Sequence, residues 1–252
     1  MNNRIVFPYN WVGHIPFAFY LIEKTKPKMI VELGTHSGNS FIAFCEACRI
    51  YNSDAKLYAI DLWKGDNHAG FYDENIFEDL KKYVDENYSD NVKLIRKDFN
   101  RAVFDFEDGS IDCLHIDGLH TYDAVKNDFE TWLPKLKSNA VVLFHDTEVY
   151  RKDFGVHRYW KELIKTYKLN FNFRHSNGLG IIILKENFEN NFISELRNSS
   201  WLSSFFEDYG NKLIEFNSLK DSYNKIKLNY ETSISFRFRI ILRKIKNKVL
   251  NK

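Results

Sequence analysis

The sequence predicts an α/β fold: a Rossmann-like, doubly wound, mostly parallel seven-stranded sheet with helices on both faces, followed by a helical C-terminal extension. Two observations carry this. Short apolar runs alternate with segments whose apolar residues recur at helical spacing, which is the pattern of strand–helix–strand units. The first five runs also finish in polar groups, namely Glu32-Leu33-Gly34, Asp61, Lys97-Asp98, Asp117 and His145-Asp146. Open parallel sheets bind ligands outside the carboxyl ends of their strands, so one edge would collect the chemistry. Helix capping by Asp explains one or two of these positions but not the whole edge.

The elements follow in order. Met29 to Gly34 is a short apolar run closed by glycine, read as a buried strand and a tight turn. Ser40 to Tyr51 is a helix with Phe41, Phe44, Cys45 and Cys48 on one face. Lys56 to Asp61 is a second strand, Asp73 to Tyr88 a helix, Asn91 to Arg96 a third strand, and Ile111 to Ile116 a fourth. Tyr122 to Leu136 reads as a helix that buries Val125, Phe129, Trp132 and Leu133. Asn139 to Phe144 is the fifth strand, Gly155 to Tyr167 a helix, and Asn170 to Arg174 with Leu179 to Leu184 a closing pair of strands. Beyond Lys185 the alternation stops. Residues 186–252 are read as an extension separate from the domain of residues 1–185, with helices over Phe188 to Tyr209 and Lys212 to Tyr230. The stretch Thr232 to Lys252 holds seven basic residues and no acid. It suits a basic amphipathic helix at an anionic membrane face or on an assembly partner, and equally a solvated terminal helix.

Composition narrows the class. A net charge of +2 gives no reason to expect nucleic acid as a partner. Three cysteines, with Cys45 and Cys48 as an isolated C-x-x-C, argue against a disulfide scaffold and supply only half a zinc site. No signal peptide and no stretch of about 20 apolar residues is visible, so a cytoplasmic protein is expected. The 16% aromatic share reads first as core and interface material and leaves a homodimer open.

The loop Glu32-Leu33-Gly34-Thr35-His36-Ser37-Gly38-Asn39-Ser40 lets the backbone turn sharply and opens a helix whose free N–H groups face a ligand. It is neither G-x-G-x-x-G nor a phosphate loop. Glu32, an acid before the first glycine, suits a ligand with a cationic end, such as the amino and sulfonium groups of S-adenosylmethionine. Asp61, 27 residues after Gly34, is placed to accept from two ribose hydroxyls. Asp98-Phe99 offers an acceptor and a ring to an adenine. Glu32, Gly34, Thr35, Gly38, Ser40, Asp61, Asp98, Phe99 and Asp117 are therefore the expected cofactor residues.

A second constellation joins Asp117-Gly118-Leu119-His120 to His145-Asp146 on neighbouring strands. Asp117 and Asp146 can converge on a divalent cation, with His145 or water completing the shell. Such a cation lowers the pKa of a substrate hydroxyl, and His120, near its ordinary ~6.5, is the expected general base. His14, Trp63 and His145 are weaker substrate candidates, and Trp63 to Gly70 reads as a lid.

At these residues the chain resembles the class I methyltransferases found among bacterial glycosyltransferase and surface-polysaccharide proteins, related to macrolide-sugar O-methyltransferases and cephalosporin hydroxylase-like proteins. The resemblance runs from Trp11 to Leu184 and is most specific over Trp11 to Phe17, Val31 to Ser40, Asp61 to Gly70, Leu114 to Tyr122 and Leu143 to Trp160. It implies magnesium on Asp117 and Asp146, with His120 as base. The tail Tyr230 to Leu242 is similar to a basic tail of polysaccharide-assembly proteins. The reading is therefore O-methyl transfer from S-adenosylmethionine, with or without Mg2+, to a nucleotide-linked or lipid-linked sugar. A nicotinamide-dependent sugar oxidoreductase and a noncatalytic assembly scaffold stand as the alternatives.

Overall fold

The structure is a computed structural model that describes residues 4–51, 54–66, 68, 70–71, 73–185 and 192–250, without the side chains of residues 66 and 234–250. A 3-10 turn, Val12–His14, leads into α1 (Ile15–Thr25), β1 (Met29–Leu33), α2 (Asn39–Ile50) and β2 (Lys56–Asp61). A two-residue hairpin, β3 (Gly65–Asp66) with β4 (Gly70–Phe71), precedes α3 (Glu74–Asn87), β5 (Val92–Arg96) and the short α4 (Phe99–Ala102). Then come β6 (Ile111–Ile116), α5 (Tyr122–Trp132), β7 (Leu136–His145), α6 (Val156–Thr166), β8 (Asn170–Phe173) and β9 (Leu179–Ile183). Helices α7 (Phe192–Asn198) and α8 (Ser200–Leu250) complete the described chain.

Seven strands form one sheet in the order β5-β2-β1-β6-β7-β9-β8. The pairs β5–β2, β2–β1, β1–β6 and β6–β7 are parallel, and β9 runs antiparallel to both of its neighbours. This is the doubly wound, mostly parallel sheet that the alternating pattern predicts. Strand order reverses between β1 and β6, where a crevice opens at the strand ends. Central strands covered on both faces read as largely apolar runs for this reason: Ile30, Val31 and Leu33 of β1 are fully buried, with Glu32 the one polar residue among them. On one face α5 contributes Val125, Phe129 and Trp132 to a core with Leu114, Ile116 and Phe144. Each such side chain removed from water is worth roughly 1.5–3 kcal/mol. Cys45 and Cys48 are free, buried thiols on α2, and burial pushes Cys45 well up from its ordinary range.

The compact body runs from Met1 to Asn211, and Lys212 to Lys252 form a second unit. Two expectations for the C-terminal region change. The start of the helix expected from Phe188 lies outside the described residues, and the break expected near Gly210 is absent, since α8 passes through it. Gly210 is a contact residue rather than a breaker: a Cβ there would lie 2.0 Å from the Gly13 carbonyl oxygen. The interruption falls instead at Ser199, whose hydroxyl accepts from the Leu202 N–H at 3.2 Å. No described helix is long and apolar enough to cross a membrane.

Candidate active site

The loop after β1 is shaped by its glycines. Gly34 and Gly38 both have φ +85°, a left-handed conformation that side chains resist. A Cβ on Gly34 would lie 2.1 Å from the Asp117 carbonyl oxygen, and one on Gly118 would lie 2.7 Å from the Phe99 ring. The loops following β1, β5 and β6 therefore touch. Asp61 ties in the fourth: Oδ2 accepts from Thr35 N at 2.9 Å and His36 N at 3.0 Å, and Oδ1 from Trp63 N at 2.7 Å. A carboxylate accepts about four hydrogen bonds, so one position stays open toward a ligand.

Around this knot lie two cavities. One, of about 380 Å³, is lined by Gly34, Asp61, Asp98, Phe99, Gly118 and Asp128. Asp98 caps α4, accepting from Asn100 N at 2.9 Å. Burial, reinforced by the charge of Asp98, pushes the Asp128 carboxyl up to about 7. The other, of about 490 Å³, is lined by Trp11, Ser40, Phe71, Arg151, Phe154 and Asn177 among others. His36, Asp117 and His120 line both, so the two cavities meet there.

At that junction His120 Nε2 lies 2.8 Å from Asp146 Oδ2 and 3.5 Å from Asp117 Oδ1. Burial alone would lower the His120 pKa, but hydrogen bonds and charge from Asp117 and Asp146 overcome it and hold the group at about 9. That corrects the expectation of an ordinary imidazole: without a ligand, His120 carries a proton at neutral pH. His145 Nδ1 lies 3.2 Å from Asp117 Oδ1 and its Nε2 lies 3.0 Å from the Ser176 carbonyl. Both nitrogens face acceptors, and the two acids raise its pKa well above the usual value against the opposing effect of burial. Asp117 and Asp146 are lowered in turn, since the neighbouring imidazoles outweigh burial.

Carboxylate and imidazole atoms of Asp117, His120 and Asp146 lie within 4.8 Å of one another, close enough to share a cation. Asp146 Oδ1, His120 Nδ1 and Thr35 Oγ1 are buried without a hydrogen-bond partner. Buried polar atoms are normally satisfied, and these three, on residues that line the larger cavity, fit a bound polar ligand there. Hard oxygen donors with one imidazole suit Mg2+ or Mn2+.

The structure thus assembles Gly34, Asp61, Asp98, Phe99 and Asp117 on one cavity and Thr35, Ser40, His145 and Asp146 on the other. Gly38 shapes the loop behind them as the α2 N-cap. Three expected site residues lie elsewhere. Glu32 is fully buried, with Oε2 2.8 Å from His115 Nδ1, and its carboxyl is engaged inside the sheet. Trp11 Nε1 donates to the other His115 nitrogen at 3.1 Å. His14, also fully buried, packs on His175 and His145. Trp63 is 1% exposed and donates to the His36 carbonyl at 2.9 Å. His145, expected as a metal ligand, instead points its nitrogens at Asp117 and a carbonyl. Sequence reasoning missed His36, Asp128, Arg151 and Asn177. Only the Asn177-Gly178 pair carries a local signal, that of a turn, and it holds φ +68° and +91° between β8 and β9.

Residues 31–147 match the Methyltransf_24 family, described as a methyltransferase domain. The match covers just under half of the chain. Three solved structures share the fold. They are a presumed caffeoyl-CoA O-methyltransferase from Staphylococcus aureus (20% identity, 71% of this chain and 85% of that one, TM-score 0.55), the methyltransferase PaMTH1 of Podospora anserina with bound S-adenosylhomocysteine (17%, 67% and 76%, 0.52), and the O-methyltransferase TomG of Streptomyces achromogenes with S-adenosylmethionine (15%, 72% and 82%, 0.52). An uncharacterized protein of Sinorhizobium fredii, y4gI, is 45% identical over 172 residues, covering 68% of this chain and 19% of that protein. The match therefore spans about a fifth of that relative's length.

Proposed function

We propose that the chain is a class I methyltransferase that transfers the methyl group of S-adenosylmethionine to a sugar hydroxyl. The observation that carries this reading is the meeting of two cavities at Asp117 and His120. The smaller, with Gly34, Asp61, Asp98, Phe99 and Asp128, suits the donor: acceptors for ribose hydroxyls, a ring and a carboxyl for adenine. The larger suits the acceptor. Trp11, Phe71 and Phe154 give flat apolar faces, and Asn177 gives hydrogen bonds. Arg151 lies on the same wall and suits the phosphate of a nucleotide-linked or lipid-linked sugar, the form used in surface-polysaccharide assembly.

The donor supplies an electrophilic methyl on a sulfonium. A C–O bond forms to the acceptor oxygen as the C–S bond breaks, its electron pair passing to sulfur. The hydroxyl proton goes to His120 Nε2 and then to solvent. His120 accepts it only when Asp117 and Asp146 are otherwise engaged, because their charge holds its own proton in place. Asp117 and Asp146 would hold a divalent cation, which would supply charge that acidifies an adjacent hydroxyl and would leave His120 Nε2 free to take the proton. The remaining contribution of the chain is alignment of oxygen, methyl and sulfur.

Calorimetric titration with S-adenosylhomocysteine tests the donor site, repeated on Asp98→Ala. Micromolar binding that weakens in the variant supports the reading. Absence of binding with and without Mg2+ would remove it and favour a noncatalytic scaffold. Methyl transfer to sugar nucleotides, lost in His120→Ala while donor binding persists, tests the chemistry.

A further inference from the structure

The second unit carries an apolar stripe that its own residues leave bare. Phe216, Leu219, Tyr223, Ile226 and Tyr230 recur at intervals of three and four residues, and each is between 62% and 68% exposed. Among its described residues the unit is one stretch of α8, so no second element covers the stripe. In the sequence the same spacing extends back through Leu202, Phe205 and Tyr209, interrupted at Lys212. A repeat of 3.5 residues over about four heptads differs from the 3.6 of a helix lying on a globular core. It is the repeat by which helices supercoil around one another with positions a and d at the seam.

We propose that residues 212–233 pair with the same residues of a second copy of this chain as a parallel, in-register coiled coil. With Phe216, Tyr223 and Tyr230 at a, and Leu219 and Ile226 at d, Glu215 takes position g and Lys220 and Lys227 take position e. In a parallel pair, g of one helix faces e of the next heptad on the other. Glu215 then meets Lys220 of the second copy, and the symmetric contact repeats it. An antiparallel pair sets e against e and so brings lysines together, a like-charge cost. Charge therefore selects both the partner and the direction. The helix is long enough, since 22 residues rise about 33 Å. Pairing would bury side chains that otherwise stand in water, where a contiguous apolar stripe is uncommon.

The full chain, purified at micromolar concentration, is weighed by light scattering during size-exclusion chromatography. The expected mass is twice 30.0 kDa. Leu219→Asp with Ile226→Asp should raise the dissociation constant at least about a hundredfold, because each copy would bury unpaired carboxylates. The melting temperature of the body should stay unchanged. Direction is read by oxidation: Phe216→Cys, at the seam and away from the segment's midpoint, should cross-link only in a parallel pair, whereas Leu228→Cys, 60% exposed on the outer side, should not. The native cysteines are buried and do not interfere. Glu215→Lys and Lys220→Glu should each weaken the dimer and together restore it. A monomer at every concentration, a dimer indifferent to the aspartates, no cross-linking at 216 or as much at 228, or a charge swap without rescue would each overturn the proposal.

Discussion

Gly34→Ala tests how the loops after β1 and β6 are held. Gly34 N donates to the Ile60 carbonyl at 2.9 Å, and the adjacent Leu33 carbonyl accepts from Asp117 N at 2.8 Å, so the residue cannot drift toward either neighbour. At φ +85° its new Cβ would lie 2.1 Å from Asp117 O, 2.6 Å from Asp117 C and 2.9 Å from Gly118 N, against an ordinary contact of 3.4 Å or more. The left-handed conformation costs about 1–2 kcal/mol and the overpacking about 1–3 kcal/mol more. For a body of this size each kcal/mol lowers the melting temperature by about 2–4 °C, so a loss of about 5–15 °C is expected. Gly109→Ala is the control: its φ is +63° but nothing lies within 4 Å of the added carbon, so only the conformational cost remains. Asp117 and Gly118 line the smaller cavity, the one proposed for the donor, so Gly34→Ala should also weaken S-adenosylhomocysteine at least about tenfold, a loss of roughly 1.4 kcal/mol, and Gly109→Ala should not. Thermal melts and calorimetry read both effects. If Gly34→Ala melts where Gly109→Ala does and binds the ligand as the wild type does, the contact between the two loops is not what positions Asp117.

Three further outcomes follow from the geometry. His115→Phe removes the hydrogen-bond partner of fully buried Glu32 and should cost about 1–3 kcal/mol, read as a lower urea midpoint, while Glu32→Gln should lose less and keep ligand affinity. Asp128, at about 7 folded and near 3.9 unfolded, holds more protons in the folded state across that interval, so stability should fall as pH rises from about 4 to 7 and level off above; Asp128→Asn should flatten that slope in urea titrations from pH 4 to 8. Millimolar Mg2+ or Mn2+ should raise the wild-type melting temperature and leave Asp146→Asn unmoved; equal shifts in both would argue against a cation between the acids.

Strand content was legible because covered parallel strands admit few polar residues. Met29–Leu33, apolar but for Glu32, and residues 140–144 of β7 announce themselves as apolar runs. The strand-tip acids were legible for the complementary reason: Asp61, Asp98, Asp117 and Asp146 stand where apolar runs stop and the sheet meets its crevice. Depth was not legible. Glu32 lies one residue before the end of β1, and nothing local shows that His115 pairs directly across from it or that Trp11 completes the chain of hydrogen bonds. His14 and Trp63 failed similarly, since their neighbours are remote in sequence. Gly210 misled because a glycine within a helix reads as a stop, whereas here it admits the Gly13 backbone.

The electrostatics of the junction separate two roles that the strand tips alone leave merged. Asp117 borders both cavities and is bonded to His145, so its replacement would disturb donor, acceptor and imidazole together. Asp146 borders only the larger cavity, and Asp98 only the smaller. A loss of turnover at Asp146→Asn with donor affinity intact, beside a loss of donor affinity at Asp98→Ala, would therefore assign the two cavities independently. His145 supplies the counterweight in this arrangement. Held between Asp117 and the Ser176 carbonyl, it keeps a positive charge beneath two acids that would otherwise repel each other in a buried setting. Replacing it with glutamine would return that repulsion to the acids and raise their pKa values, so Mg2+ binding to His145→Gln should become steeply pH-dependent near neutrality, and a flat dependence would show that His145 is not what keeps the acids ionised.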